Sequence, residues 1–266
     1  MLAKKPARIQ TRKRMIMYRS RRNLVSCWLD IHSVLRRMAA VVCAVVLSVG
    51  LCGCAGSSDG ADGGGDSGGA RLASSLRAYA AQLLEEDDGS MGAEQRDILQ
   101  RAAESGEVSV SDYEAAWQRY QTCVVDKGYD RPELATYTNG IHHTIGSTLT
   151  EEQSTDQAYL EKMGRDDGSC RDTYVRAVNE IYMAQVGNPN LYADHDEGAV
   201  DCLRRGGLAP KSYTVEDYRE DQDKAAHKSD GEELDTGIDM DDPEVMACMA
   251  ANGYMFIDPS AIGGAS

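Results

Sequence analysis

The sequence predicts a mainly α-helical, disulfide-stapled domain with one minor β-hairpin. Three observations carry this prediction: apolar residues recur at helical spacing, helix-capping sequences precede several of these segments, and four cysteines share the region. We divide the chain into a leader (1–53), a tether (54–70), an N-terminal helical hairpin (71–110), a disulfide-stapled helical domain (111–257) and a tail (258–266).

The leader contains an uncharged apolar run, Met38–Leu51, directly after Arg36 and Arg37. A positive segment followed by a short apolar segment is typical of a secretory signal peptide. A membrane-spanning helix needs about 20 apolar residues, and this run is shorter. The sequence therefore predicts export, with the positive charges remaining on the cytoplasmic side.

The apolar run ends in Leu51-Cys52-Gly53-Cys54, which resembles the lipobox of bacterial lipoproteins. The resemblance implies a signal peptide cleaved before Cys54 and a lipid on Cys54. The protein would then be a lipoprotein of the cell membrane, lipid-anchored and facing outside the cytoplasm. Two other interpretations remain open: an uncleaved signal anchor with an unmodified Cys54, and a cytosolic protein with an apolar helix.

Two segments flank this signal. Residues 55–70 contain only Gly, Ser, Asp and Ala, so they predict a flexible tether with a root-mean-square span of roughly 20–25 Å. Residues 1–37 hold eleven Lys/Arg against Asp30 alone. We interpret them as an overlong positive segment that an early start codon would explain, with Met15 or Met17 as the alternative start.

Composition after the leader limits the possible partners. The remaining 213 residues hold 17 Lys/Arg against 42 Asp/Glu, a net charge of −25. Phosphate contacts need a basic surface, so the charge predicts that nucleic acid is not a partner.

Leu, Ile, Val and Phe make up only about 14% of these residues, which is low for a folded domain. The predicted core is therefore thin and needs covalent support.

Four cysteines supply that support: Cys123, Cys170, Cys202 and Cys248. An even number of cysteines in an exported chain predicts disulfides, and four allow three pairings, among which the sequence alone does not choose. The separations of 47 residues within the first two and 46 within the last two suggest two duplicated units, each stapled internally. CxxC spacing is absent, so we predict no metal site at these cysteines.

A Cys-x4-Gly motif supports duplication. An aromatic residue follows it in Cys123–Tyr129 and Cys248–Tyr254, and a leucine in Cys202–Leu208. This spacing predicts a cysteine on the last turn of a helix, a left-handed glycine after it, and an apolar residue that folds back. Cys170 departs from the pattern because it is predicted to begin a helix. Across Ser111–Tyr254 the motifs resemble uncharacterised actinobacterial exported lipoproteins, a resemblance that carries no established activity.

The first helices are predicted over Arg71–Glu86 and Glu94–Glu104, joined as a hairpin through Asp87–Gly89. A capping box at Ser111–Glu114 opens the clearest helix. One face of that helix is largely aromatic, and we interpret it as core, with stacking on a sugar or peptide as the alternative. Its residues are Tyr113, Ala116, Trp117, Tyr120, Cys123 and Val124.

The segment Asp130–Thr150 lacks helical periodicity. It predicts a small β-hairpin turning at Asn139-Gly140, with arms at Tyr137–Thr138 and Ile141–Ile145. Five further helices follow: one opened by a capping box at Thr150–Gln153 and reaching about Met163, then Cys170–Val186, Glu197–Arg205, one capped by Thr214–Asp217, and Asp242–Asn252 with proline at its first position.

No stretch carries a catalytic motif in a fitting context. Gly56–Gly60 matches G-x-S-x-G but lies in the tether, without a strand before it or a helix after it. His142 and His143 are adjacent, so their side chains should point apart. Asp194–Glu197 is interpreted as an acidic helix start, with a metal site as the alternative. The twelve acidic residues within 216–242 predict a solvated surface, with weak calcium binding left open.

The sequence therefore predicts a cell-surface, lipid-anchored, non-catalytic binding or accessory protein of the bacterial envelope, its molecular activity unknown and no cofactor expected. The expected partners are the membrane, through Cys54, and an envelope protein such as a transporter. The alternative is an envelope hydrolase of wall polymers with dispersed catalytic residues. A deep cleft with two carboxylates, or His142, His143 or His195 beside a carboxylate, would favour it. A passive spacer would be favoured if the helices shared little core.

Overall fold

The computed structural model describes residues 69–146, 148–227 and 235–254, and within them the chain is mainly helical with one two-stranded antiparallel sheet. The predicted fold class is therefore confirmed. The helices are α1 (Leu76–Glu85), α2 (Ala93–Ser105), α3 (Val110–Asp126), α4 (Glu151–Thr155), α5 (Gln157–Tyr174), α6 (Arg176–Gly187), α7 (His195–Arg205), α8 (Val215–Ala226) and α9 (Pro243–Ala251); the strands are β1 (Leu134–Thr136) and β2 (His142–Thr144).

Helix α6 is the centre of the fold. It packs against α1, α2, α3, α5, α7 and α9. Val178 and Ile181 on this helix are fully buried, and Tyr182 and Ala184 are nearly so. One hydrophobic cluster runs from Tyr79 on α1 to α9. The helices thus share a core, and the condition that would have favoured a passive spacer is not met.

Helices α1 and α2 form the predicted hairpin and pack on each other and on α6. Asp87 organises the connection, because its carboxylate accepts backbone hydrogen bonds from Gly89 and Met91 and pairs with Arg96. The next helix, α3, begins two residues earlier than its predicted capping box. Ser109, and not Ser111, is its N-cap and accepts from the Asp112 N–H.

The aromatic face of α3 is core, as predicted. Tyr113, Trp117 and Tyr120 are each no more than 3% exposed. Tyr113 stacks on Tyr182 of α6 with ring centroids 3.8 Å apart, and Trp117 meets Tyr120 edge-on at 5.6 Å. Aromatic rings bury a large area, so this stack offsets the scarcity of aliphatic residues.

The three Cys-x4-Gly motifs close helices as predicted. The glycines Gly128, Gly207 and Gly253 have φ values of 90°, 71° and 86°. In each motif the residue after the glycine donates its N–H to the carbonyl five positions back, as in Tyr129 to Val124 at 3.3 Å. This is the Schellman arrangement, in which glycine turns the chain and the following residue folds over the helix end.

Cys170 lies near the end of α5, and the prediction that it begins a helix was wrong. The helix runs unbroken from Gln157 to Tyr174, and a new helix, α6, begins after Val175. All four cysteines of the fold therefore lie in the last or penultimate turn of a helix. Cys170 still lacks the motif glycine, since Val175 stands at that position, and the duplication remains a prediction.

The later capping predictions are confirmed. Thr150 and Thr214 each form a complete capping box, opening α4 and α8. Asp242 caps α9 with Pro243 at its first position. Helices α6, α7 and α9 approach closely through two glycines: a Cβ on Gly187 would lie 2.0 Å from the Ala251 Cβ, and a Cβ on Gly198 would lie 2.1 Å from the Asn252 Oδ1.

Among the helices that the structure describes, none is both long and apolar enough to cross a membrane. The predicted leader (1–53), most of the tether (54–70) and the tail (258–266) lie outside the described ranges. The signal, lipidation and tether predictions therefore rest on the sequence.

Candidate functional site

The predicted disulfides form in two separate loops. Cys123 pairs with Cys170 and joins α3 to α5, with a Cα–Cα distance of 5.8 Å. Cys202 pairs with Cys248 and joins α7 to α9, with a Cα–Cα distance of 5.6 Å. Both distances lie in the usual range for disulfides. Each bond ties the end of one helix to a helix about 46 residues later, as the spacing suggested.

A hydrogen-bonded relay joins Thr136, His142 and Glu114. Thr136 and His142 lie opposite each other on β1 and β2. The Thr136 Oγ1 lies 2.8 Å from the His142 Nδ1, and the Glu114 Oε1 on α3 lies 2.8 Å from the His142 Nε2. The relay thus connects an exposed hydroxyl, an imidazole and a carboxylate, which are the three group types of nucleophilic acyl-transfer sites.

The imidazole of His142 is held by aromatic rings. Its side chain is 9% exposed, whereas that of Glu114 is 44% exposed. Tyr113 stacks on the ring at 5.4 Å, and Trp117 meets it edge-on at 5.8 Å. Packing on two sides limits ring rotation, so the two nitrogens keep their partners.

Tyr113 also fixes the backbone of His142. The His142 N–H donates to the Tyr113 hydroxyl at 2.9 Å, and that hydroxyl donates to the Asn179 Oδ1 at 2.9 Å. Burial raises the pKa of Tyr113 above its usual range, so the phenol remains protonated and keeps this donor. The relay is therefore anchored to α3 and α6 as well as to the hairpin.

His143 lies on the opposite face of β2, as expected for adjacent strand residues. A second polar cluster, centred on Arg171 of α5, reaches the hairpin through Thr144, which shares the His142 face of β2. The Arg171 guanidinium donates to Thr144 Oγ1 at 2.7 Å, to Tyr120 OH at 3.0 Å and to Asp167 Oδ2 at 2.7 Å. Because these partners lie on three elements, the cluster locks the hairpin against α3 and α5.

We expect His143 to make the domain less stable in mild acid. Burial, with a smaller effect from the Arg171 cation, lowers the pKa of His143 below its ordinary 6.5. Below about pH 6.5 the His143 imidazole therefore binds a proton more readily in the unfolded chain than in the folded chain. Stability should fall as pH decreases from about 6.5 towards 5, before most carboxylates titrate. Urea unfolding of wild type and His143→Gln across this range measures the effect, and the variant should show the shallower slope.

The matched control is His227→Gln, since the side chain of His227 is 77% exposed. That variant should keep the wild-type slope. Equal slopes for wild type and His143→Gln would contradict the assigned role of burial.

At Asp194–Glu197, where the sequence left a metal site open as the alternative, Asp194 and Asp196 make structural contacts. Asp194 caps α7 and lies 3.3 Å from the Arg219 guanidinium. Asp196 is buried and pairs with Arg219 and with the Tyr254 hydroxyl. The His195 ring packs near Gly253. In the described ranges no group of three His, Cys, Asp or Glu residues could hold a metal ion.

The acidic segment 216–242 is partly described, since residues 228–234 lie outside the described ranges. Asp217 is part of the capping box of α8. Asp221 is buried and accepts hydrogen bonds from the Tyr213 hydroxyl and the Gly237 N–H, both at 2.8 Å. These two carboxylates therefore serve the fold. The calcium alternative remains a prediction from the sequence.

Sequence reasoning missed two members of the relay. Glu114 was assigned to a capping box, and its carboxylate instead binds His142. Thr136 lay outside the predicted hairpin arms. The hairpin register was the signal available, because pairing about the Asn139-Gly140 turn places Thr136 opposite His142.

Comparison with known proteins identifies no family for this chain. No protein-family model, curated protein or solved structure matches the chain.

Proposed function

We propose that this protein is an exported lipoprotein of a Gram-positive, actinobacterial envelope. In this proposal Cys54 carries the lipid, residues 55–70 form the tether, and the helical domain stands outside the cytoplasm. The observation that carries the proposal is the pair of internal disulfides, Cys123–Cys170 and Cys202–Cys248. Disulfides of this structural kind persist in oxidising compartments, which agrees with a signal peptide and lipobox.

We infer that the domain binds a ligand or serves as an accessory subunit of a membrane protein such as a transporter. The shared core and stapled helices support a rigid body rather than a spacer. The residues that the structure describes include 35 Asp/Glu and 16 Lys/Arg. Most of those cations already pair with carboxylates, as in Arg101–Asp112 and Arg205–Asp201. The excess of carboxylates over cations favours a partner with a cationic surface.

Cross-linking on intact cells tests this function. The lipidated protein is captured after cross-linking, and proteins bound to it are identified by mass spectrometry. The control keeps residues 1–70 and lacks the folded domain. One abundant membrane protein that is captured by the whole chain and lost with the control is the expected result. Equal capture by both would contradict an accessory role for the domain.

An envelope hydrolase is the second candidate function, and one observation favours it. His142 lies beside the Glu114 carboxylate at 2.8 Å, which is an arrangement expected for a dispersed catalytic site. No metal ligand group accompanies it in the described part of the chain. Turnover of a chromogenic ester by the purified protein, absent from a variant without the imidazole, would support this candidate.

A further inference from the structure

We propose that Thr136, His142 and Glu114 form an acyl-transfer site that hydrolyses small uncharged or cationic esters. The inference rests on the second candidate function and names its residues, reaction and substrate class. Thr136 is the nucleophile, His142 the general base, and Glu114 the residue that orients the imidazole.

The hydrogen bonds fix the proton arrangement that such a base needs. The Glu114 carboxylate only accepts hydrogen bonds, so the His142 Nε2 at 2.8 Å carries the hydrogen. The neutral ring then has its lone pair on Nδ1. That lone pair faces the Thr136 hydroxyl at 2.8 Å, which donates to it. This is the protonation pattern of a nucleophile–base pair before attack.

Exposure separates the roles. Thr136 is exposed on the hairpin and open to a substrate, whereas the imidazole is 9% exposed and packed between aromatic rings. Burial keeps the imidazole ring in a fixed orientation. Its hydrogen bonds are also stronger there than in water, because the protein interior has a low dielectric constant. An exposed nucleophile on a buried base allows attack on an ester carbonyl at the surface.

The hairpin ladder supplies a donor next to the nucleophile. Tyr137 donates to Ile141 at 2.9 Å, so Thr136 and His142 form the next pair, in which the backbone N–H groups point away from the partner strand. The His142 N–H follows this rule by donating to Tyr113. The Thr136 N–H therefore points away from β2, and in this proposal it donates to the developing oxyanion.

The chemistry of the relay selects esters over glycosides. Glycoside hydrolysis needs two carboxylates on opposite sides of the bond, and the relay contains one, that of Glu114. The acidic surface disfavours anionic substrates near it. Ester-linked acyl groups without negative charge are the class that fits.

The reaction balances through one proton. The Thr136 Oγ bonds to the acyl carbon while its proton passes to the His142 Nδ1, and collapse of the tetrahedral intermediate breaks the ester C–O bond. The alcohol leaves with the proton from His142. Water then attacks the acyl-threonine and gives a proton to His142. When the acyl–Oγ bond breaks, that proton returns to Thr136, so the net products are the acid and the alcohol.

The test uses the purified full-length protein in detergent with its disulfides intact. p-Nitrophenyl acetate is the uncharged probe, and nitrophenolate release is followed continuously. A portion of the reaction is then quenched with acid to trap the acyl-enzyme. Intact mass and peptide mapping then locate the acetyl group. The expected results are turnover above solvent hydrolysis and an acetyl group on Thr136.

Four variants assign the roles. Thr136→Val keeps the side-chain shape without the hydroxyl and should lower kcat/KM by at least about 100-fold. Thr136→Ser should retain turnover. His142→Gln should abolish the acyl-threonine, and Glu114→Gln should lower kcat with KM unchanged, because Glu114 is a positioning residue. The control is Thr122→Val, whose exposed hydroxyl donates to the Gln118 carbonyl of its own helix at 2.9 Å.

Wild-type turnover by Thr136→Val, with circular dichroism unchanged, would overturn the proposal. So would an acetyl group that maps to another residue, or equal loss in the Thr122→Val control. A folded wild-type protein that does not hydrolyse the ester would also overturn it. That failure leaves the binding function intact, since cross-linking on cells measures the partner independently of any ester.

Discussion

We expect reduction of the two disulfides to unfold the domain at about 37 °C. Each disulfide closes a loop of about 46 residues, which stabilises the fold by about 4 kcal/mol in the chain-entropy model. The total stability of a typical domain is about 5–15 kcal/mol. This domain has few large aliphatic residues in its core, so loss of both bonds should remove most of its stability.

Far-UV circular dichroism with and without a phosphine reductant measures this effect. The helical signal should collapse once alkylation shows that all four thiols are free. Paired Cys→Ser variants separate the two loops, and each should lower the urea midpoint on its own. A fully reduced protein with unchanged helical signal would show that the core suffices without covalent support.

Gly187→Ala should destabilise the domain by about 3 kcal/mol, at the upper end of the range for overpacking. The new Cβ would lie 2.0 Å from the Ala251 Cβ, whereas carbon atoms in contact prefer about 3.5–4.0 Å. Helices α6 and α9 would have to separate. Because α6 is the centre of the fold, that movement disturbs packing on both sides of it.

Two other helical glycines provide matched controls of opposite sign. Gly164 and Gly168 on α5 have nothing within 4 Å of an added Cβ, so alanine there should stabilise by about 0.5–1 kcal/mol through helix propensity. The double variant Gly187→Ala with Ala251→Gly should recover part of the loss, because it removes the opposing methyl. Urea unfolding gives all four values. Equal effects at Gly187 and Gly164 would contradict close packing of α6 on α9.

Local chemistry made much of the fold predictable. Capping residues Thr150, Thr214 and Asp242 open the helices they were expected to open. The motif glycines end their helices because glycine adopts the left-handed backbone conformation at little cost in free energy. These signals lie within a few residues of each other, so they require no knowledge of distant contacts.

Longer-range packing explains what the sequence left open. The stretch that includes Gly164 and Gly168 has low helix propensity, so the predicted helix ended near Met163. In the fold α5 continues, stabilised by the Cys170 disulfide and by the Lys162–Asp166 pair at 2.6 Å. Tertiary contacts of this kind override local propensity.

The candidate site depended on contacts that spacing does not encode. The Thr136–His142 pair follows from the hairpin register, and a slip of one residue would place these side chains on opposite faces. Glu114 lies 28 positions from His142 along the chain, and only the packing of the hairpin on α3 joins them. His142 could be identified as a candidate from the sequence, but its partners Thr136 and Glu114 could not.

The central claim is that the stapled domain is held at the cell surface by a lipid on Cys54. The most direct measurement is the intact mass of the protein extracted from cells in detergent, compared with a Cys54→Ala variant. We predict a wild-type chain that begins at Cys54 and carries added acyl mass, and a variant without that mass. A wild-type protein that retains residues 1–53, or one with an unmodified Cys54, would contradict the claim.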